Sequence, residues 1–167
     1  MSRELFEARI SELNNAKKKN SVMITRQEYK EIFLSLKRMH RDQNYKPSKK
    51  EKNWISKYEI MSFELEGKKR EYLVKPDPKK PEKKLRMVTV EGMYDAINKV
   101  HEATMHAGRR LTYPIIRDQY ANITEEHLQL FINCCQHCQM KNSGGVKKGI
   151  VVSTCFVFKS AKIYGRV

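Results

Sequence analysis

Two strings in this 167-residue chain hold the side chains best suited to bind a metal: His101-Glu-Ala-Thr-Met-His106 and, 28 residues later, Cys135-Gln-His-Cys138. Two imidazoles and two thiolates form a tetrahedral donor set for Zn²⁺, a borderline-soft ion with no geometric preference of its own. The Cys-x-x-Cys pair lets both sulfurs reach one ion from a tight turn. The histidine spacing is equally restrictive. Five residues apart on an unbroken helix, two side chains diverge by about 140° and cannot share an ion. His101 is therefore expected on the last turn of a helix and His106 just past its end, with Gly108 letting the chain fold back. A zinc-protease His-Glu-x-x-His motif needs its histidines four apart, so that chemistry is excluded. Four protein ligands leave no open position for a substrate water, which makes the expected site structural. Cys134 and His137 lie in the same turn and are alternative ligands. A redox role for Cys135 and Cys138 would need a thioredoxin-like βαβ setting, which the surrounding pattern does not supply. His127 and His40 are expected in solvent.

The metal pairs must be brought together by the elements around them. Met93, Ala96, Ile97 and Val100 lie on one face of a helix ending near Thr104. Thr112 is placed as the cap of a second helix, with Pro114 in its first turn and Ile115, Ile116 and Tyr120 facing inward. Thr124-Glu-Glu-His opens a third helix carrying Leu128, Leu130, Phe131 and Ile132. Upstream, Leu5, Phe6, Arg9, Ile10 and Leu13 mark a helix over 3–19. Thr25-Arg-Gln-Glu28 has capping-box form and starts another, with Tyr29, Ile32, Phe33, Leu36 and Met39 on one face. These two helices are expected to pair as an antiparallel hairpin. A short helix runs from Pro47 and Ser48 through Ile55. Alternation from Tyr58, a Gly67-Lys68 turn and Arg70–Val74 predict a β-hairpin, and Leu85–Val90 a third strand. The expected class is α+β, mainly α: a zinc-stabilised three-helix bundle preceded by a small β-meander and an amino-terminal helical hairpin. The divisions are 1–46 (helical), 47–90 (short helix and meander), 91–141 (metal-binding helices) and 142–167 (linker and tail, with Lys141–Lys148 polar and glycine-containing).

Charge narrows the partners. Thirty-four Lys and Arg against 19 Asp and Glu give a net charge of +15, which draws the chain to polyanions. With no apolar run long enough to span a bilayer and a polar start, nucleic acid is expected rather than a membrane, in the nucleus or alternatively the cytoplasm. In such reducing compartments the four cysteines are thiols or ligands, not disulfides. Lys79-Lys80-Pro81-Glu82-Lys83-Lys84 has the composition of a nuclear import signal.

Val100-His-Glu-Ala-Thr-Met-His-Ala-Gly-Arg109, Tyr120-Ala-Asn-Ile-Thr124 and Phe131-Ile-Asn-Cys-Cys-Gln-His-Cys-Gln-Met-Lys141 together resemble the HHCC zinc-binding domain of gypsy-type retrotransposon and retroviral integrases, and of Ginger-type transposon integrases. The resemblance covers roughly residues 50–150 and is most specific across 100–141. It implies that His101, His106, Cys135 and Cys138 hold one structural Zn²⁺, and that the domain assists multimerisation and contact with element-end DNA. Integrases continue into an RNase H-like core with three metal-binding carboxylates. No aspartate or glutamate follows Glu126 here, so no integrase or nuclease activity is expected. The candidate DNA contacts are Arg109, Arg110 and Arg117 on the second bundle helix and Lys141, Lys147 and Lys148 beyond the cysteines. The alternative is a module for self-association or protein binding with no direct DNA contact. No small-molecule substrate is expected.

Overall fold

A computed structural model describes residues 3–16, 23–42, 44–65, 67–76 and 83–143. It is α+β and mainly helical: α1 (Arg3–Ala16), α2 (Arg26–Arg41), α3 (Lys49–Lys57), β1 (Glu59–Leu65), β2 (Lys68–Pro76), β3 (Lys84–Arg86), a 3₁₀ turn at Val90–Gly92, then α4 (Met93–Ala103), α5 (Arg109–Gln119), α6 (Glu125–Cys134) and α7 (Gln136–Ser143). No described helix is long and apolar enough to cross a membrane.

Hydrophobic periodicity sorts these elements around two clusters. In the first, Ile97 and Val100 of α4, Ile116 of α5 and Leu128 and Phe131 of α6 meet around Cys135 and Cys138. Phe6 and Ile10 of α1 are buried in the same cluster. The two amino-terminal helices therefore do not form a hairpin. α1 docks on α6 and α4, while α2 packs on α3 and β1. The apolar stripe of α1 finds a larger apolar surface among the bundle helices than α2 offers, and Arg3 reinforces the choice by pairing with Asp95 and lying over the Tyr94 ring. In the second cluster Ile32 and Leu36 of α2 cover Leu73 of β2, with Ile24 and Met87 beside them.

The sheet has the order β1-β2-β3, antiparallel throughout, with Ile60 opposite Leu73 and Val74 opposite Arg86. Gly67 sits in the hairpin turn at φ 71°, a left-handed conformation open to glycine without steric cost. The third strand is shorter than its β-like sequence, because the chain leaves the ladder after Arg86 and turns into the 3₁₀ segment. Asn122, almost wholly buried, joins the two halves: its amide donates to Val88 O (2.6 Å) and its Oδ1 accepts from Val88 N (3.0 Å).

Local capping explains several helix starts. Thr25 with Glu28 and Ser48 with Glu51 make reciprocal capping boxes. Thr112 instead lies inside α5, whose cap is Gly108, and its hydroxyl donates to Ala107 O (3.1 Å). The last helix also extends further than expected: α7 runs to Ser143, so the start of the polar stretch is helical, and the remainder of that stretch and the tail lie outside the described residues.

Glu51 carries a testable electrostatic signature. Its carboxylate accepts from Tyr45 Oη (2.7 Å), Ser48 N (2.8 Å) and Ser35 Oγ (3.0 Å). These bonds, that from Tyr45 foremost, hold its pKa down to about 2 against an ordinary 4.5. A pKa lowered by folding contributes stability that is fully present above 4.5 and is lost as pH falls toward 2. Urea unfolding of wild type and Glu51→Gln should thus differ near neutrality and converge through that window. A difference that stays constant down to the acid end would refute the assignment. Protonation at the histidines and cysteines is common to both proteins and cancels in the comparison.

Candidate metal centre

The chain makes the site at a helix end. His101 occupies the last turn of α4 and is fully buried. Beyond the Thr104 cap, Met105 (φ 54°) and His106 (φ 55°) both adopt the left-handed conformation. His106 N then donates to His101 O (2.9 Å), closing the helix end back on itself. Two consecutive non-glycine residues thus make the reversal that the spacing required. Gly108 does not make it: its backbone is extended (φ −70°, ψ 170°), and it serves only as the cap of α5. Left-handed backbone is costly for residues with a Cβ, and it persists where surrounding structure over-determines it.

On the opposite side, Cys135 follows the last residue of α6 and Cys138 lies in the first turn of α7. The four ligand atoms of His101, His106, Cys135 and Cys138 all fall within 4.8 Å of one another. Cys138 Sγ is 3.2 Å from His101 Nε2 and Cys135 Sγ is 3.4 Å from His106 Nδ1. Zinc–nitrogen and zinc–sulfur bonds at tetrahedral angles separate N and S ligands by about 3.6 Å. The cluster therefore fits one ion, and its donor types suit a borderline-soft one. Neither Cys134 nor His137 belongs to it. His137 instead stacks on the His106 ring, with centroids 4.5 Å apart and planes 23° apart.

The electrostatics favour ligands over free side chains. Burial, helped by the neighbouring His106 ring and Lys141, pushes His101 down to about 4, so its imidazole is neutral and has a lone pair to donate. Burial and the hydrogen bond with Cys135 push the Cys138 thiol up to about 11. Such a thiol stays protonated at neutral pH unless a cation binds and displaces the proton. His101 Nδ1 is buried and has no hydrogen-bond partner among the described residues. Ligating histidines ordinarily donate that second N–H, which fixes the ring. Here packing holds it: Phe131 meets the His101 ring edge-on at 5.4 Å, and the His106 ring does so at 4.8 Å.

Among curated proteins, the chain is similar to KRAB-A domain-containing protein 2 of Homo sapiens. The two are 23% identical over 140 residues, which cover 84% of this chain and 27% of that protein. The chain thus spans about a quarter of the length of this relative. No family profile and no solved structure matches it.

The basic residues near the cluster are less uniform than their sequence positions imply. Arg110 and Arg117 are exposed, two turns apart on one stripe of α5. Arg109 is exposed too, but it is engaged by Glu125 at 3.1 Å. Lys141 is exposed on α7, close enough for its charge to act on His101, His106 and Cys138. Lys147 and Lys148 lie outside the described residues, as does most of the basic string at 79–84.

Of the two remaining histidines, His40 is exposed, as expected, whereas His127 is buried. The His127 ring takes the third position of the α6 capping box, where its Nδ1 accepts from Thr124 N (3.2 Å). Glutamate or glutamine usually fills that place, and the imidazole nitrogen performs the same task. The pattern Thr-x-x-His was the available signal.

Proposed function

We propose that this chain is a zinc-binding, DNA-associated module of integrase descent that performs no strand-transfer chemistry of its own. The observation that carries the reading is the closed His₂Cys₂ group. Its four protein donors fill a tetrahedral shell, so the ion would tie the end of α4 to the α6–α7 junction rather than activate water. The ligand strings and their flanking residues resemble integrase HHCC domains, and the +15 charge supplies the attraction to a polyanion. Arg110 and Arg117 are the foremost contacts, being exposed and without an ion pair among the described residues; Arg109 and Lys141 take secondary parts.

Binding of a labelled DNA duplex across a salt series tests the reading. Each phosphate contact steepens the fall of log affinity against log salt by about 0.9. We expect a slope of several such contacts, reduced by about one in Arg110→Gln and again in Arg117→Gln. Salt-insensitive or absent binding, with a defined oligomer by light scattering, would replace the reading with a protein-interaction module. DNA cleavage or joining by pure protein would overturn the non-enzymatic part.

A further inference from the structure

The sheet has two chemically different faces. One carries Ile60, Leu73 and Leu85 and is turned toward α2. That face also bears Glu64, Glu71, Lys69 and Lys75, a balanced set, and Glu71 is taken up by Lys37 of α2 at 2.6 Å. By register, the opposite face carries Met61 and Phe63 on β1, Arg70, Tyr72 and Val74 on β2 and Lys84 and Arg86 on β3. Phe63 and Val74 are buried in it, and among its described side chains the cations face a single acid, Glu59 of β1. Lys84 takes Glu59 at 2.8 Å, which leaves Arg70 and Arg86 with no carboxylate among the described residues.

Arg86 is held in an unusual way for a surface cation. Its guanidinium lies 4.8 Å from the centroid of Tyr120 and 5.8 Å from that of Tyr72. One terminal nitrogen donates to Gln119 Oε1 at 3.3 Å. Its backbone is also pinned, because Arg86 O accepts from Ala121 N at 2.9 Å. Two rings and an amide thus fix the plane of a fork that has five N–H donors, only one of which has an acceptor among the described residues. A guanidinium whose rotamer entropy is already lost, and whose charge is unpaired, is suited to a phosphate group, which it meets with two parallel hydrogen bonds. Arg117, in the last turn of α5, sits three residues before Tyr120, which caps that helix, so the seam between β3 and the end of α5 continues into the arginine stripe.

We propose that this sheet face and seam form a second phosphate-contacting surface, with Arg86 as its fixed fork and Arg70 as a flanking cation, and that its partner is the backbone of DNA. The inference rests on the DNA-associated reading above and extends it from the α5 stripe to the meander. The partner follows from charge: a face with three cations to one acid among its described side chains, on a chain of net charge +15, seeks a linear polyanion.

The test compares full-length wild type with Arg86→Gln, Arg86→Lys, Arg70→Gln and Arg110→Gln. Labelled duplex affinity is measured over a salt series, and circular dichroism is recorded for each protein. Arg86→Gln should lower affinity about tenfold and the salt slope by about one, and Arg86→Lys should recover only part of the loss because lysine lacks the fork. Arg70 is exposed, so Arg70→Gln reads the same face without disturbing the Tyr72–Arg86–Tyr120 stack and covers the case in which Arg86→Gln misfolds. Wild-type affinity and slope in Arg70→Gln and in folded Arg86→Gln, with Arg110→Gln weakened, would overturn this inference and leave the α5 reading intact. Absence of DNA binding by wild type would overturn both.

Discussion

Cys138→Ser is expected to remove stoichiometric metal from the purified protein and to unfold the helices around it. Structural zinc in small domains contributes on the order of 10–16 kcal/mol of apparent binding energy, as large as the whole stability of a typical domain. α4 and α6 share an apolar core beside the cluster, but the two outer pieces that it joins have less to hold them. α7 has no apolar face, and the Met105-His106 turn holds two residues in a conformation they would otherwise leave. Elemental analysis should find one zinc per wild-type chain and none in Cys138→Ser, and strong chelator should reproduce the loss of helical circular dichroism in the wild type. Cys134→Ser is the decisive comparison. Cys134 is as buried as Cys138 and four residues from it, yet it stands outside the ligand group and should keep its metal. The single tryptophan, Trp54, packs in the other cluster and so distinguishes local collapse from global unfolding. A metal-free wild type with unchanged helicity in chelator would end the argument.

The His₂Cys₂ group that could hold a metal was readable in the sequence because metal chemistry constrains residue type and spacing together. Two imidazoles five apart can share an ion only if a helix ends between them, and α4 does end there. Capping boxes were readable for the same reason, since Thr25 and Glu28 answer each other's free backbone groups at a fixed interval. What the sequence hid was of four kinds. Nothing in the string Thr-Met-His marks the left-handed pair, because side chains that tolerate such backbone poorly give no signal when tertiary contacts compel it. The partner of α1 was also hidden, since an apolar stripe states that it will be buried but not against which surface; Phe6 and Ile10 went to the bundle and left α2 to the sheet. Thr112 offered a good capping signal, but Gly108 began the helix one turn earlier, and the Thr112 hydroxyl turned back to bond Ala107 O and to meet Thr104 Oγ1 at 3.2 Å. Arg86 gave no hint of its role. It reads as one more cation beside Lys83 and Lys84 until β2 and the end of α5 bring Tyr72 and Tyr120 against it.

Phe131→Ala is expected to weaken metal binding as well as the fold, although the side chain is no ligand. Its ring touches Phe6 (5.6 Å), Tyr94 (5.5 Å) and His101 (5.4 Å), so it links α1 and the start of α4 to the buried imidazole. Truncating a fully buried phenylalanine costs about 3–5 kcal/mol through lost contacts and the cavity left behind. The effect on the metal follows from the unsatisfied Nδ1 of His101. With no hydrogen bond at Nδ1 among the described residues to set the ring, its orientation leans on the aromatic edge against it. Loss of the groups that orient a ligating histidine ordinarily costs about 10–100-fold in metal affinity. Competition against a chromophoric chelator should show that loss in Phe131→Ala, with much of it restored in Phe131→Leu, which refills most of the volume. Phe6→Ala should show a smaller loss in the same direction, since its ring braces Phe131 from the far side, whereas Ile10→Ala, equally buried but without a ring contact to Phe131, should destabilise α1 and leave the affinity of the folded protein close to wild type. Equal affinities for Phe131→Ala and wild type, measured where both are folded, would mean that the His101 ring is positioned by its backbone alone.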